Sequence, residues 1–241
     1  MSRPTLIDAP LPGYLTEIVP TTEAILRALD GRTYTYHPSQ VFVRAIDNEK
    51  YVATASPLTP HWFGPPLELV RRDHRLPFTW LYLATDDAVA AWESQLVRNN
   101  RGAGNGFHVS PQALDHGVIA RVRFARPLVL WHLGLDHCSR LGIHDIIGSP
   151  DHEACQWLGL RLRNAMLTLV ADARPDGFVY PSRRVHGYPA LALGDWAAPA
   201  LFGRSRILME RFDGSAIHRH FLDDPMLTDG PDADAPPLIR L

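Results

Sequence analysis

Hydrophobic and polar positions along the chain change period from segment to segment, and the changes predict a series of short elements. Residues 1–20 carry four prolines and no clear period, which predicts an extended lead-in. Residues 22–29 read as a helix that Thr21 or Thr22 can cap and Gly31 ends. TYTYHPSQVFVRAI then turns β-branched and aromatic, and residues 41–46 read as a strand. Strand alternation puts Phe42, Arg44 and Ile46 on one face and Val41, Val43 and Ala45 on the other. Residues 47–75 are polar and irregular around HWFGPP, and PFTWLYLA is a buried strand ending at Ala84. TDDAVAAWESQLVRN follows as a helix, with Thr85 as its cap and Asp86 and Asp87 at the positive end of its dipole. Residues 99–116 read as a glycine-containing loop, and GVIARVRFARPLVLW as one or two strands broken near Pro127. Residues 132–150 read as loop. Residues 151–170 return to helical spacing through Trp157, Leu158, Leu162, Met166 and Leu169. DGFVYPSRR predicts a turn and a short strand stopped by proline, and LALGDW and RSRILMERF predict further strands. Strands and helices mix without regular alternation, so the fold class is α+β.

Bulk composition narrows the function classes. The 241 residues suit one domain with extensions, and 46% hydrophobic with 21% charged residues is ordinary for a globular protein. A net charge of −2 gives no basic field, so no nucleic-acid partner is expected. Cys138 and Cys155 are too few for a disulfide framework, and a reducing cytoplasm is the expected setting. The N-terminal residues lack the pattern of a secretory signal, and no apolar stretch reaches membrane length. The 21 prolines and 17 glycines favour many turns over a helical bundle.

Three residues stand out chemically. On the predicted helix, Glu93 shares an apolar side with Val89, Leu96 and Val97, and a carboxylate there needs a partner or a function. Arg44 lies inside an apolar strand, where its fork of donors suits phosphate. Ser182 follows Tyr180 and Pro181. Each has a plainer explanation: a structural ion pair for Glu93, an edge-strand ion pair for Arg44, a loop serine for Ser182. No GxSxG elbow is present, so a serine hydrolase is not indicated. The histidines at 132, 137, 144, 152, 218 and 220 match no zinc spacing, and no metal is expected.

Together these positions resemble the RES domain, a family named for its arginine, glutamate and serine. DGFVYPSRRVHG is similar to that family's serine segment, PFTWLYLATDDAVAAWES to its strand followed by the glutamate helix, and VFVRAI to its arginine strand. DHEACQWLGLRLRNAM matches in place the helix before the serine segment. The family's glycine-glycine-arginine stretch is replaced here by HWFGPPLELVRRDHRL, in which Trp62, Phe63 and Gly64 look like a remnant. Arg71, Arg72 or Arg75 is then a candidate replacement phosphate contact, against the plainer reading of a solvated turn.

The resemblance implies an ADP-ribosyltransferase-like fold: a split, mostly antiparallel sheet with flanking helices and an NAD cleft. It implies residues 40–222 as the catalytic domain, 1–39 as an extension packed on it, and 223–241 as a tail. The implied activity is that of a bacterial toxin cleaving the nicotinamide–ribose bond of NAD, by hydrolysis or phosphorolysis. The alternatives are transfer of ADP-ribose to a protein, or a binding module without catalysis. Arg44, Glu93 and Ser182 are the implied catalytic residues. Arg44, Tyr82, Tyr180, Ser182 and Trp62 are the implied NAD contacts. The implied partner is an Xre-like antitoxin or immunity protein, and the implied place of action is the cytoplasm, its own or that of a target cell.

Overall fold

The apolar runs pair with partners distant in sequence, which brings the candidate residues onto adjacent strands. A computed structural model of the chain describes residues 4–56, 60–70, 72–73, 75–100, 105–149 and 152–230. Its elements are α1 (Thr22–Leu29), β1 (Thr33–Tyr36), β2 (Phe42–Ile46), β3 (Trp80–Ala84), α2 (Asp87–Glu93), β4 (Val97–Asn99), β5 (Phe107–Val109), α3 (Pro111–His116) and β6 (Val118–Arg123). They continue with β7 (Leu128–His132), α4 (Leu135–Leu141), α5 (His144–Gly148), α6 (His152–Thr168), β8 (Gly177–Pro181), β9 (Pro189–Gly194), α7 (Ala198–Phe202), β10 (Arg206–Arg211) and α8 (Ala216–Leu222). Eight strands form one sheet in the order β1-β7-β8-β9-β3-β2-β6-β10, antiparallel at every pair except β7–β8. β4 and β5 form a separate antiparallel pair. The fold is α+β with a large, mostly antiparallel sheet and flanking helices.

The alternation in PALALG sorts the two faces of β9. Ala190 and Ala192 point toward α6, and Leu191 and Leu193 toward α7. The small alanines stand opposite Tyr180 and Tyr82 in the registers Tyr180↔Ala190 and Tyr82↔Ala192, which leaves space for both rings on one face. Helix α6 is buried on most sides, which is why its apolar residues do not confine themselves to one stripe. Gly159 of α6 lets the chain at Phe63 lie directly against the helix; a Cβ there would stand 2.1 Å from the Phe63 carbonyl oxygen. Asn164 pairs with both the N–H and the C=O of Ile7, tying the N-terminal segment to the same helix.

Several local expectations need correction. Helix α2 ends at Glu93 rather than running to residue 99, because Gln95 adopts a left-handed conformation with φ 63° and turns the chain into β4. No glycine marks this stop. Its cap is Asp86, which accepts from the amides of Ala88 and Val89, and not Thr85. The predicted loop at 99–116 contains β5 and α3, and the predicted loop at 132–150 contains α4 and α5. Helices of five to seven residues are too short to show a convincing apolar period. TYTY forms β1, an edge strand largely exposed to solvent. Among the described residues, no helix is long and apolar enough to cross a membrane.

Candidate active site

Glu93 closes α2, where the negative end of the helix dipole disfavours a carboxylate. Two hydroxyls offset this. Ser182 donates to Oε1 at 2.6 Å, and Tyr180 donates to Oε2 at 3.2 Å. Burial, and then the Glu93 charge, push the Tyr180 phenol well above its usual range, so it stays protonated and remains a donor. The expectation that Leu96 and Val97 share a helical face with Glu93 fails, since both lie beyond the helix end. The side chain is nevertheless half-buried.

Ser182 is 2% exposed and fully engaged. Its hydroxyl gives its proton to Glu93 and accepts from the amides of Arg184 at 3.2 Å and Val185 at 3.0 Å. That exhausts one donor and two lone pairs. It sits behind the carboxylate, outside the lining of the adjacent cavity.

That cavity measures about 680 Å³, within the range of small-molecule sites. Its wall includes Arg44, Trp62, Tyr82, Glu93 and Tyr180, so five of the six expected residues meet there. Arg44 is 8% exposed in the middle of β2. Its Nε donates to the Tyr51 carbonyl at 3.1 Å, Nη1 to that of Tyr82 at 2.7 Å, and Nη2 to that of Thr54 at 3.0 Å. Burial lowers its pKa to about 10, which still leaves a cation at neutral pH. No carboxylate forms an ion pair with it among the described residues. A buried, unpaired cation on a cavity wall suits an anionic ligand.

The two tyrosines serve differently. Tyr82 accepts from the Phe63 amide at 2.8 Å through its hydroxyl, and burial raises its pKa. Tyr180 is 2% exposed, with its ring packed edge-on against Phe63 at 4.9 Å. It offers the cavity its hydroxyl end more than a stacking face. Trp62 carries the guanidinium of Arg183 over its ring at 3.7 Å and meets the His152 ring edge-on at 4.4 Å.

Arg183, Arg184, His61 and Asp47 also line the cavity, and sequence reasoning did not single them out; His152, weighed in the sequence only as a metal ligand, lines it too. The two arginines directly follow Ser182, so their position in the YPSRR segment was the available signal. Arg72 and Arg75 are exposed and absent from the wall, and Arg71 lies outside the described residues. Among the described residues, no group of three or more His, Cys, Asp or Glu could hold a metal ion.

The RES domain model matches residues 41–216, and the chain belongs to the RES domain family. A chain in the crystal structure of the M. tuberculosis MbcT-MbcA toxin-antitoxin complex is similar in fold. It has 15% identity and a TM-score of 0.50, over 83% of this chain and 97% of that one. No curated protein matches the sequence.

Proposed function

We propose that this protein is a toxin-type enzyme that cleaves the nicotinamide–ribose bond of NAD, by hydrolysis or phosphorolysis. The observation that carries the reading is the Glu93 carboxylate, held through both oxygens at the wall of a cavity that also presents a buried, unpaired arginine. Membership of the RES family and likeness to a chain of a toxin-antitoxin complex support it.

The chemistry follows from charge. As the C1′–N bond breaks, its electron pair goes to the pyridinium nitrogen, nicotinamide leaves neutral, and positive charge grows on the ribose. A fixed carboxylate stabilises that charge without reorganising, an effect of about 10²–10³ in rate. Water or phosphate then bonds to C1′, and the proton of water is lost to Glu93 or to solvent. Arg44, with each guanidinium nitrogen bonded to a main-chain carbonyl, sets a fixed positive charge beside the polar body of NAD, Tyr82 and Trp62 line its path, and Tyr180 and Ser182 aim Glu93. By this reading Ser182 is a positioning residue and does not bond the ribose itself. A dedicated antitoxin, Xre-like or of an immunity type, is the proposed partner.

Incubation of the purified protein with labelled NAD tests the reading. Free ADP-ribose marks hydrolysis, ADP-ribose 1-phosphate marks phosphorolysis, and label on protein marks ADP-ribosyl transfer instead. Intact NAD with no labelled product overturns the enzymatic reading.

A further inference from the structure

We propose that two copies of this chain pair through β10, edge to edge and antiparallel, about a two-fold axis at Leu208. Nothing in this pairing depends on the reaction proposed at Glu93. β10 closes one end of the eight-stranded sheet, and no other strand pairs with its far side. It runs for six residues and contains no proline or lysine, residues with which edge strands deter pairing. It keeps one register against β6 along its whole length, without a bulge. Leu208 is 75% exposed and Met209 56%.

The ladder to β6 determines which backbone groups of β10 face outward. The Phe212 amide donates to the Gly117 carbonyl at 2.8 Å. Hydrogen-bonded pairs alternate along an antiparallel ladder, so Arg206, Leu208 and Glu210 bond to Arg123, Arg121 and Ile119. The N–H and C=O groups of Ile207, Met209 and Arg211 therefore point away from the sheet. No backbone bond joins them to another segment among the described residues. A second strand can use only these groups, so self-pairing must set odd positions against odd ones. With the axis at Leu208, Ile207 of one copy faces Met209 of the other, and each such pair exchanges both its hydrogen bonds. Arg206 then faces Glu210, and Leu208 faces its own copy. An axis at Met209 would set Leu208 against Glu210 and Ile207 against Arg211. An axis at Ile207 would set Arg206 against Leu208. Of the three registers, the one at Leu208 joins apolar to apolar and cation to anion.

The charges suit that register. Arg206 forms no ion pair among the described residues. Glu210 accepts from Arg121 through Oε1, which leaves Oε2 for the Arg206 of the other copy. The Arg206–Glu210 and Leu208–Leu208 contacts fall at non-hydrogen-bonded pairs, where facing side chains come closest. A two-fold axis uses the same strand twice, so the assembly closes at a dimer and covers both exposed edges. β10 contributes nothing to the cavity wall, so substitutions on its exposed face leave Arg44 and Glu93 untouched.

The test is sedimentation equilibrium of the full-length protein from about 1 to 200 µM, since a strand-sized interface gives a weak dimer. The mean mass should rise with concentration from 27.0 kDa toward twice that value. Leu208→Lys sets like charges across the axis and should weaken the dimer at least about tenfold, with an unchanged melting curve. R206E alone and E210R alone should each stay monomeric, because each sets like charges in both pairs. Their equimolar mixture should dimerise, because every pair across the axis is then opposite in charge. Amide hydrogen exchange needs no variant: Ile207, Met209 and Arg211 should gain protection at high concentration, while Leu208 and Glu210 do not change. A wild type that stays at 27.0 kDa throughout overturns the proposal, and the edge is then left to a different protein or to solvent. A dimer that survives Leu208→Lys and R206E, or a mixture no more associated than its components, overturns it as well. So does a dimer whose outward amides exchange as fast as in the monomer.

Discussion

Replacing Ser182 by alanine separates a positioning serine from a substrate-binding one. The substitution removes one hydrogen bond to a carboxylate and two acceptances from the Arg184 and Val185 amides. A bond to a charged group contributes about 1.5–3 kcal/mol. The amides lie in a half-buried turn that water can reach, so each adds less than ~1 kcal/mol. The stability loss is therefore about 2–4 kcal/mol, a fall in Tm of roughly 4–16 °C for a domain of this size. Glu93 keeps its bond from Tyr180 but loses its shorter anchor. A carboxylate so loosened should lower kcat about 10- to 100-fold, or about 1.4–2.8 kcal/mol of barrier. KM for NAD should stay within about twofold, because Ser182 does not line the cavity. Nicotinamide release measured across NAD concentrations below the melting transition reads both constants. A KM raised tenfold with kcat intact would refute the reasoning, since that is the signature of a serine touching the substrate. Unchanged kcat and KM would refute it equally.

Three further substitutions probe the frame around the cavity. Gly159→Ala puts a methyl 2.1 Å from the Phe63 carbonyl oxygen, and should lower stability by more than about 2 kcal/mol and shift Trp62 fluorescence; an unaltered melt and spectrum would show that the segment is not held there. Tyr82→Phe strips the Phe63 amide of its acceptor and should cost about 1–3 kcal/mol in urea unfolding. Arg44→Lys keeps the charge but cannot serve the carbonyls of Tyr51, Thr54 and Tyr82 at once, so unfolding should come about 2–4 kcal/mol earlier and NAD turnover should fall at least tenfold; wild-type stability in this variant would remove Arg44 from the wall.

The parts of the fold that could be read from the sequence are those in which local pattern and tertiary role agree. The strand carrying Arg44, the strand ending at Ala84, helix α1 and the long helix α6 each announce themselves by apolar runs or caps. The helices α3 to α5 were hidden because one or two turns cannot display an apolar period. The end of α2 was hidden for another reason: Gln95 takes the left-handed conformation in place of a glycine, so no residue type signals the stop. At the site, the arginine, glutamate and serine could be picked out because their segments resemble those of the RES family, Ser182 almost wholly so. Their division of labour could not, because it depends on which hydrogen-bond partners the fold supplies. The Arg183–Trp62 stack joins residues 121 positions apart in sequence, which the fold brings together in part through the packing of Phe63 on α6.

The most direct test of the account is the rate of nicotinamide release from NAD by purified wild type and by Glu93→Gln, with the fold of each checked by its melting curve. Glutamine retains the shape, its one oxygen can still accept from Ser182 while its amide N–H donates to the Tyr180 hydroxyl, and it carries no charge. The account predicts that wild type releases nicotinamide and that the variant, still folded, is slower by at least about a hundredfold. A folded Glu93→Gln protein that consumes NAD at the wild-type rate would contradict it.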